Sequence, residues 1–152
     1  MSKDDLHEFR TVVKALITYK GKVLLGKKEE DENHPIGGEW HFLGGHLEKD
    51  EQMEEAVERE VEEETGLEVE VHQIIDVMTF SWDKDGEKDS LQVLYHCEAE
   101  SSDAEPDEDL EEVEWVEPSE LEEQLADVEA ERLENRGNQR MFLEKLKQMP
   151  VI

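Results

Sequence analysis

The stretch from Gly45 to Leu67 constrains this chain more than any other. It reads Gly-x5-Glu-x7-Arg-Glu-Val-x-Glu-Glu-x-Gly-Leu and sets Glu60, Glu63 and Glu64 three and four positions apart in a segment of helical pattern. Residues at that spacing project from neighbouring turns onto one side of a helix. Crowded carboxylates repel one another unless a cation sits among them, and a hard divalent ion such as Mg²⁺ prefers oxygen ligands of this kind.

The phase of the helix sharpens the point. At about 100° per residue, Ala56, Val57 and Val61 share one apolar stripe, Glu60 and Glu64 fall inside it, and Glu63 lies at its edge. Glu54, Glu55, Glu58 and Glu62 point largely the other way and read as solvated surface. An inward carboxylate is unfavourable unless it is paired or coordinated. Gly44-Gly45 allows tight backbone geometry upstream, Asp50 is placed to cap the first turn, and Gly66 to end the helix in a left-handed conformation. Arg59 is spaced to pair with Glu55 and Glu63, and beside such carboxylates it can hold one in a working rotamer.

The pattern Gly45, Glu51, Arg59, Glu60, Val61, Glu63, Glu64, Gly66 and Leu67 resembles the conserved box of the Nudix hydrolases at every fixed position. Gly45, Arg59 and Gly66 carry most of that specificity, because glutamate matches are easy to obtain in a chain this rich in glutamate. Two departures stand beside the box: Leu43 replaces a proline common before the two glycines, and Lys49-Asp50 replaces a frequent Pro-Gly before Glu51. Both bear on loop stiffness and substrate alignment rather than on the reaction class.

The rest of the chain accommodates one such domain over residues 1–152. Its 152 residues, 36% of them hydrophobic, suffice for a single small core. Arg10 to Tyr19 and Lys22 to Leu25 read as a hairpin around Lys20-Gly21, and Lys27 to Glu39 as a charged loop. Trp40 to Leu43 is a short strand leading into the glycines. Val69 to Trp82 reads as a long strand with room to bend, turned at Asp85-Gly86 into Leu91 to Glu98, whose Leu91, Val93, Tyr95 and Cys97 share a face. An acidic loop from Ser101 to Asp109, a strand from Val113 to Val116, a helix entered at Pro118 and running through Leu125, and a terminal helix from Gln139 to Gln148 complete the pattern. Mixed strands and helices without βαβ repetition imply an α/β mixed sheet packed by helices. The resemblance implies the Nudix-type α/β/α sandwich.

The net charge of −28 bounds the partners. Nucleic acid and anionic membranes are repelled, so no broad contact with either is expected; a small anionic nucleotide can still be held by metal ions and a few basic side chains. Acidic residues run along the whole chain rather than in a single tail, which favours adaptation to high salt over a functional acidic surface for cations or a basic partner. No apolar run is long enough for a transmembrane helix, Met1 to Asp5 lacks the features of a secretion signal, and Cys97 stands alone; cytoplasm is the expected compartment.

The resemblance assigns roles. Glu60 and Glu64 become metal ligands, and Glu63 a further ligand or the base that orients water. Arg59 and Glu51 support the site, with a backbone carbonyl of Gly44 or Gly45 as an additional ligand. Glu112, beside Trp115, lies where some relatives supply another carboxylate. Trp82 is the aromatic side chain best placed to stack on a base, and Arg10, Lys27 and Lys28 are candidate phosphate contacts. The implied cofactor is Mg²⁺, with Mn²⁺ as a substitute. Val23 to Lys28 with Trp40-His41-Phe42 and Gly44 to Glu48 is similar to family members that cleave nucleoside triphosphates, intact or oxidised, to monophosphate and pyrophosphate. ADP-ribose or another nucleotide sugar is the alternative substrate, and a non-catalytic nucleotide sensor the alternative class. Many relatives pair, so a homodimer is a further expectation.

Overall fold

A computed structural model describes residues 8–29, 40–81, 88–107 and 110–125. Runs of β-branched and apolar residues give the strands β1 (Glu8–Tyr19), β2 (Lys22–Lys28), β3 (Trp40–His41), β4 (Leu43–His46), β5 (Val69–Ser81), β6 (Lys88–Ala99) and β7 (Leu110–Val116). The helices are α1 (Met53–Thr65) and the short α2 (Leu121–Gln124), which a 3-10 turn at Pro118–Glu120 leads into.

β1 is the hub of a mixed sheet. On one edge its Ile17–Tyr19 end pairs antiparallel with β2, while Val12–Ala15 pairs antiparallel with β4. Along the other edge it runs parallel to β6, Val13 opposite Val93. β5 flanks β6 and is bent by register shifts at Val71/Ile74 and Ile74/Asp76, which accounts for the bend expected in that strand. β2 carries β3 and β7.

The alternation of each strand builds two cores. Val13, Ala15 and Ile17 of β1, Leu24 of β2 and Val93, Tyr95 and Cys97 of β6 face α1 and meet its Ala56, Val57 and Val61. Leu16, Val23, Leu25, Phe42 and Leu94 face the other way and meet Leu121 and Leu125 of the α2 segment. Each fully buried aliphatic side chain contributes about 1.5–3 kcal/mol of transfer free energy, so α1 is fastened by its apolar stripe rather than by its glutamates. Leu91 packs against the same core as Val93, Tyr95 and Cys97, as the alternation implies.

Three local expectations differ from the structure. Asp50 does not cap α1; it takes a left-handed conformation (φ 63°), and Gln52 caps the helix through a reciprocal box with Glu55. Glu55 is therefore committed to the Gln52 N–H at 3.1 Å, and the Arg59–Glu55 pair does not form. The segment Trp40 to Leu43 is not one strand: it divides at Phe42 between β3 on β2 and β4 on β1. Gly66 does end α1 in the left-handed region, φ 76°, its N–H donating to the Glu62 carbonyl at 2.8 Å. Asp85-Gly86 and the helix expected over Gln139 to Gln148 lie outside the described residues.

Candidate active site

α1 lies against β4, and the two glycines of β4 let it come close. Gly44 has φ 151°, and a Cβ there would fall 2.0 Å from the Val13 carbonyl oxygen, so only glycine fits. Its N–H donates to Glu64 Oε1 at 2.9 Å. A Cβ on Gly45 would sit 2.6 Å from the Glu60 carboxylate, so that carboxylate occupies the space a side chain would take. Glu64 is buried, Glu60 half-buried and Glu63 exposed, which is the order that helical phase requires.

Arg59 organises the rest. Its Nε donates to Glu51 Oε2 at 2.6 Å and its Nη2 to Glu51 Oε1 at 3.0 Å, a bidentate grip; Nη2 also donates to the His46 carbonyl at 3.1 Å. Nη1 donates to Glu60 Oε1 at 3.0 Å and Glu63 Oε2 at 3.2 Å, and lies 3.5 Å from Glu48. The loop before the helix presents Glu51 to it, held by the Glu48 N–H at 3.0 Å. The cation among the acids is thus a guanidinium. Among the described residues no three His, Cys, Asp or Glu side chains are gathered in a metal-holding arrangement, and Glu60 and Glu63 are both bonded to Arg59. The donors still suit a hard divalent cation in kind: three carboxylates on adjacent turns and, at Gly45, a backbone that approaches one of them without an intervening side chain.

The electrostatics follow the geometry. Arg59 beside Glu51, helped by the Glu48 N–H, holds that carboxyl below the usual glutamate range. The same pairing pushes the Arg59 guanidinium above its already high ordinary value. Burial pushes Glu60 up, against the pull of Arg59, with the neighbouring Glu63 charge adding to the rise. Glu60 is thus a half-buried carboxylate beside a like charge and held by Arg59.

The remaining candidates are dispersed. Arg10 lies near the start of β1, in an open cleft with His46 and Lys49. Lys27 of β2 sits between Trp40 of β3 and the exposed Glu112 of β7, its ladder partners on the two sides. Trp82 lies outside the described residues. Cys97 is buried in the α1 core, where burial pushes its thiol up to about 12 and away from the nucleophilic thiolate.

Sequence reasoning misses Lys14. It is buried on β1, opposite Gly44, with Nζ donating to the Phe42 carbonyl at 3.3 Å, and its charge acts on Glu60. The available signal was a single charge inside the otherwise uncharged run Thr11 to Tyr19.

Comparison with known proteins agrees with this geometry. The NUDIX domain family model matches residues 8–135. Nucleoside triphosphatase NudI of Escherichia coli O81 (strain ED1a) is 33% identical over 121 residues, covering 74% of this chain and 84% of that protein. The MutT NUDIX hydrolase of Burkholderia pseudomallei superposes with a TM-score of 0.72 at 26% identity, over 91% of this chain and 98% of its own. The MutT protein of Methanosarcina mazei Go1 shares the fold with a TM-score of 0.75 at 24% identity, over 93% and 96%. A mixed sheet with an acid-bearing helix seated on a double glycine defines an α/β hydrolase of the Nudix type, and this chain belongs to the Nudix family. It is a pyrophosphohydrolase acting on acid anhydrides, and a small nucleotide fits as its substrate.

Proposed function

We infer that the chain is a Mg²⁺-dependent hydrolase, Mn²⁺ serving as a substitute, that converts nucleoside triphosphates, intact or oxidised, to monophosphate and pyrophosphate. The observation that carries this reading is a pair of helix carboxylates turned onto a glycine strand, Glu64 on the Gly44 N–H and Glu60 against Gly45. The likeness to NudI, a nucleoside triphosphatase, supports the triphosphate. Glu60, Glu64, Glu63 and the Gly45 carbonyl would hold the ion, with Glu112 as a further donor. A divalent ion bound there neutralises phosphate charge and activates water.

The chain's own residues do the rest. Glu63, the exposed member of the trio, accepts a proton from the attacking water. The water oxygen bonds to phosphorus as the bridging P–O bond breaks, and the electron pair leaves on the pyrophosphate oxygen. Arg59, gripped by Glu51, fixes the rotamers of Glu60 and Glu63. Arg10 and Lys27 contact phosphates and Trp82 stacks on the base. A charge of −28 suits a protein that avoids nucleic acid and anionic membranes; its place in this proposal is the cytoplasm, with a homodimer as the assembly to test by sedimentation.

The test is a nucleotide panel with Mg²⁺, products resolved by phosphorus NMR, repeated with Glu63→Gln and Glu64→Gln. Turnover falls by about 10²–10⁴ in each variant while folding persists. Unchanged turnover in both would refute the assignment, and tight binding without cleavage by the wild type would make the chain a sensor.

A further inference from the structure

Among the described residues only two Lys, Arg, Asp or Glu side chains are buried, Lys14 and Glu64, and both meet the same glycine. Glu64 comes from α1 and accepts the Gly44 N–H at 2.9 Å. Lys14 comes from β1, where it is the ladder partner of Gly44. A Cβ on Gly44 would lie 2.8 Å from the Lys14 Cα, so the two backbones touch with no side chain between them. The alternation of β1 sends Val13, Ala15 and Ile17 toward α1 and Lys14 to the opposite face. The Gly44 backbone is thus flanked by a buried acid from the α1 side of the sheet and a buried ammonium from the other.

The Lys14 Nζ donates to the Phe42 carbonyl at 3.3 Å, and the His41 Nδ1–H donates to the same oxygen at 2.6 Å. Phe42 is where the chain leaves β3, paired with β2, and enters β4, paired with β1; its own Cα is registered with neither. Beyond this crossover the chain presents the Gly44 N–H to Glu64 and brings Gly45 against Glu60. A shift of the crossover along β1 therefore moves both contacts together. Burying an ammonium is unfavourable unless it is strongly bonded. His41 already serves the Phe42 oxygen, so satisfying that oxygen does not by itself account for a buried cation.

We propose that Lys14 is a positioning residue of the hydrolase: by holding the Phe42 carbonyl it fixes where Gly44 and Gly45 meet the Glu64 and Glu60 carboxylates, and so the geometry in which those carboxylates take a divalent cation. This rests on the hydrolase reading above and adds to it a residue from the far face of the sheet. In this role Lys14 acts through the β4 backbone, without contact to substrate or metal. Its charge is also felt at Glu60, where it opposes burial alongside Arg59.

The test is Lys14→Met, which keeps an unbranched side chain and removes the ammonium. Replacing a buried charge by an apolar side chain of similar size is often neutral for stability, and His41 still serves the Phe42 oxygen, so the variant folds. In the metal-free protein the Gly44 amide exchanges with solvent about tenfold faster, while amides of the β1–β6 ladder keep their rates. Mn²⁺ binding, followed by electron paramagnetic resonance without nucleotide, weakens about 10–100-fold. The kcat for the best-cleaved nucleotide falls by a similar factor, while KM moves by less than about twofold. Unchanged or tightened Mn²⁺ binding would overturn the proposal. So would exchange that quickens equally at Gly44 and along the ladder, the mark of a purely structural residue, or a raised KM with kcat retained, the mark of a substrate contact. A wild type that cleaves nothing, in which Lys14→Met still loosens Gly44 and weakens Mn²⁺ binding, keeps the assignment of Lys14 and refutes hydrolysis alone.

Discussion

Gly45→Ala perturbs the site by one methyl group placed against one carboxylate. Nothing in the backbone of Gly45 demands glycine: only Gly21, Gly44 and Gly66 take positive φ among the described glycines. The added Cβ would fall 2.6 Å from Cδ and both oxygens of Glu60, well inside van der Waals contact, and those atoms are the far end of a flexible side chain. Glu60 withdraws by about an ångström, at a rotamer cost on the order of 0.5–1.5 kcal/mol. A displacement of that size in a positioning group lowers kcat about 10²-fold, equivalent to roughly 2.7 kcal/mol of barrier. Gly44→Ala is the contrasting control. There the clash is with backbone, 2.0 Å from the Val13 oxygen, at φ 151°. Strain of about 1–3 kcal/mol and overpacking of about 1–3 kcal/mol together consume much of a typical stability of about 5–15 kcal/mol. Urea denaturation beside steady-state kinetics reads both effects. Gly45→Ala keeps its midpoint and loses turnover, while Gly44→Ala loses the midpoint. A Gly45→Ala protein with wild-type turnover would show that Glu60 has no part in the chemistry.

Arg59→Met removes the one cation shared by Glu51, Glu60 and Glu63. The metal-free variant melts below wild type, gains more from added Mg²⁺ than wild type does, and turns over at least about tenfold more slowly; equal Mg²⁺ stabilisation of both proteins would refute the view that guanidinium and metal compete for the same carboxylates. His96, whose Nε2 lies 2.9 Å from Thr18 Oγ1, is held below the ordinary imidazole value by burial first and by neighbouring His72 second. The unfolded chain therefore takes up that proton first, and stability falls as pH drops below about 6.5; His96→Gln makes that decline shallower, and identical pH profiles would sink the argument. With a charge of −28, raising KCl from 0.1 to 1 M shortens the screening length from about 10 Å to about 3 Å and lifts the thermal midpoint. An unchanged midpoint would remove the case for high-salt adaptation.

The residues that reveal themselves in sequence are those whose neighbours are local. Helical phase alone orders Glu64, Glu60 and Glu63 by burial, and a glycine after the last apolar position marks the end of α1. Partners supplied from elsewhere are not legible. Spacing along the helix gives Arg59 the i+4 partner Glu63 and suggests Glu55, but its strongest grip is on Glu51, which a loop folds back across the first turn. Asp50 has the better capping side chain, yet Gln52 takes the position because its reciprocal bond with Glu55 closes the turn two residues later. Lys14 sits in an apolar strand that alternation would bury on either face, and only the approach of β4 shows which carbonyl receives its ammonium. Trp40 and Leu43 look contiguous until two different strands claim them.

The parallel ladder between β1 and β6 also sets a timetable for synthesis. Val13 waits for Val93, so the ribosome must deliver the whole box, its helix and β5 before the hub strand has neighbours on both edges. Non-local pairing of this kind is slow to form and leaves an apolar template open in the meantime. The acids spread along the nascent polypeptide keep such half-built copies apart by mutual repulsion, so the same excess charge that repels polyanions also guards the chain while it is being made.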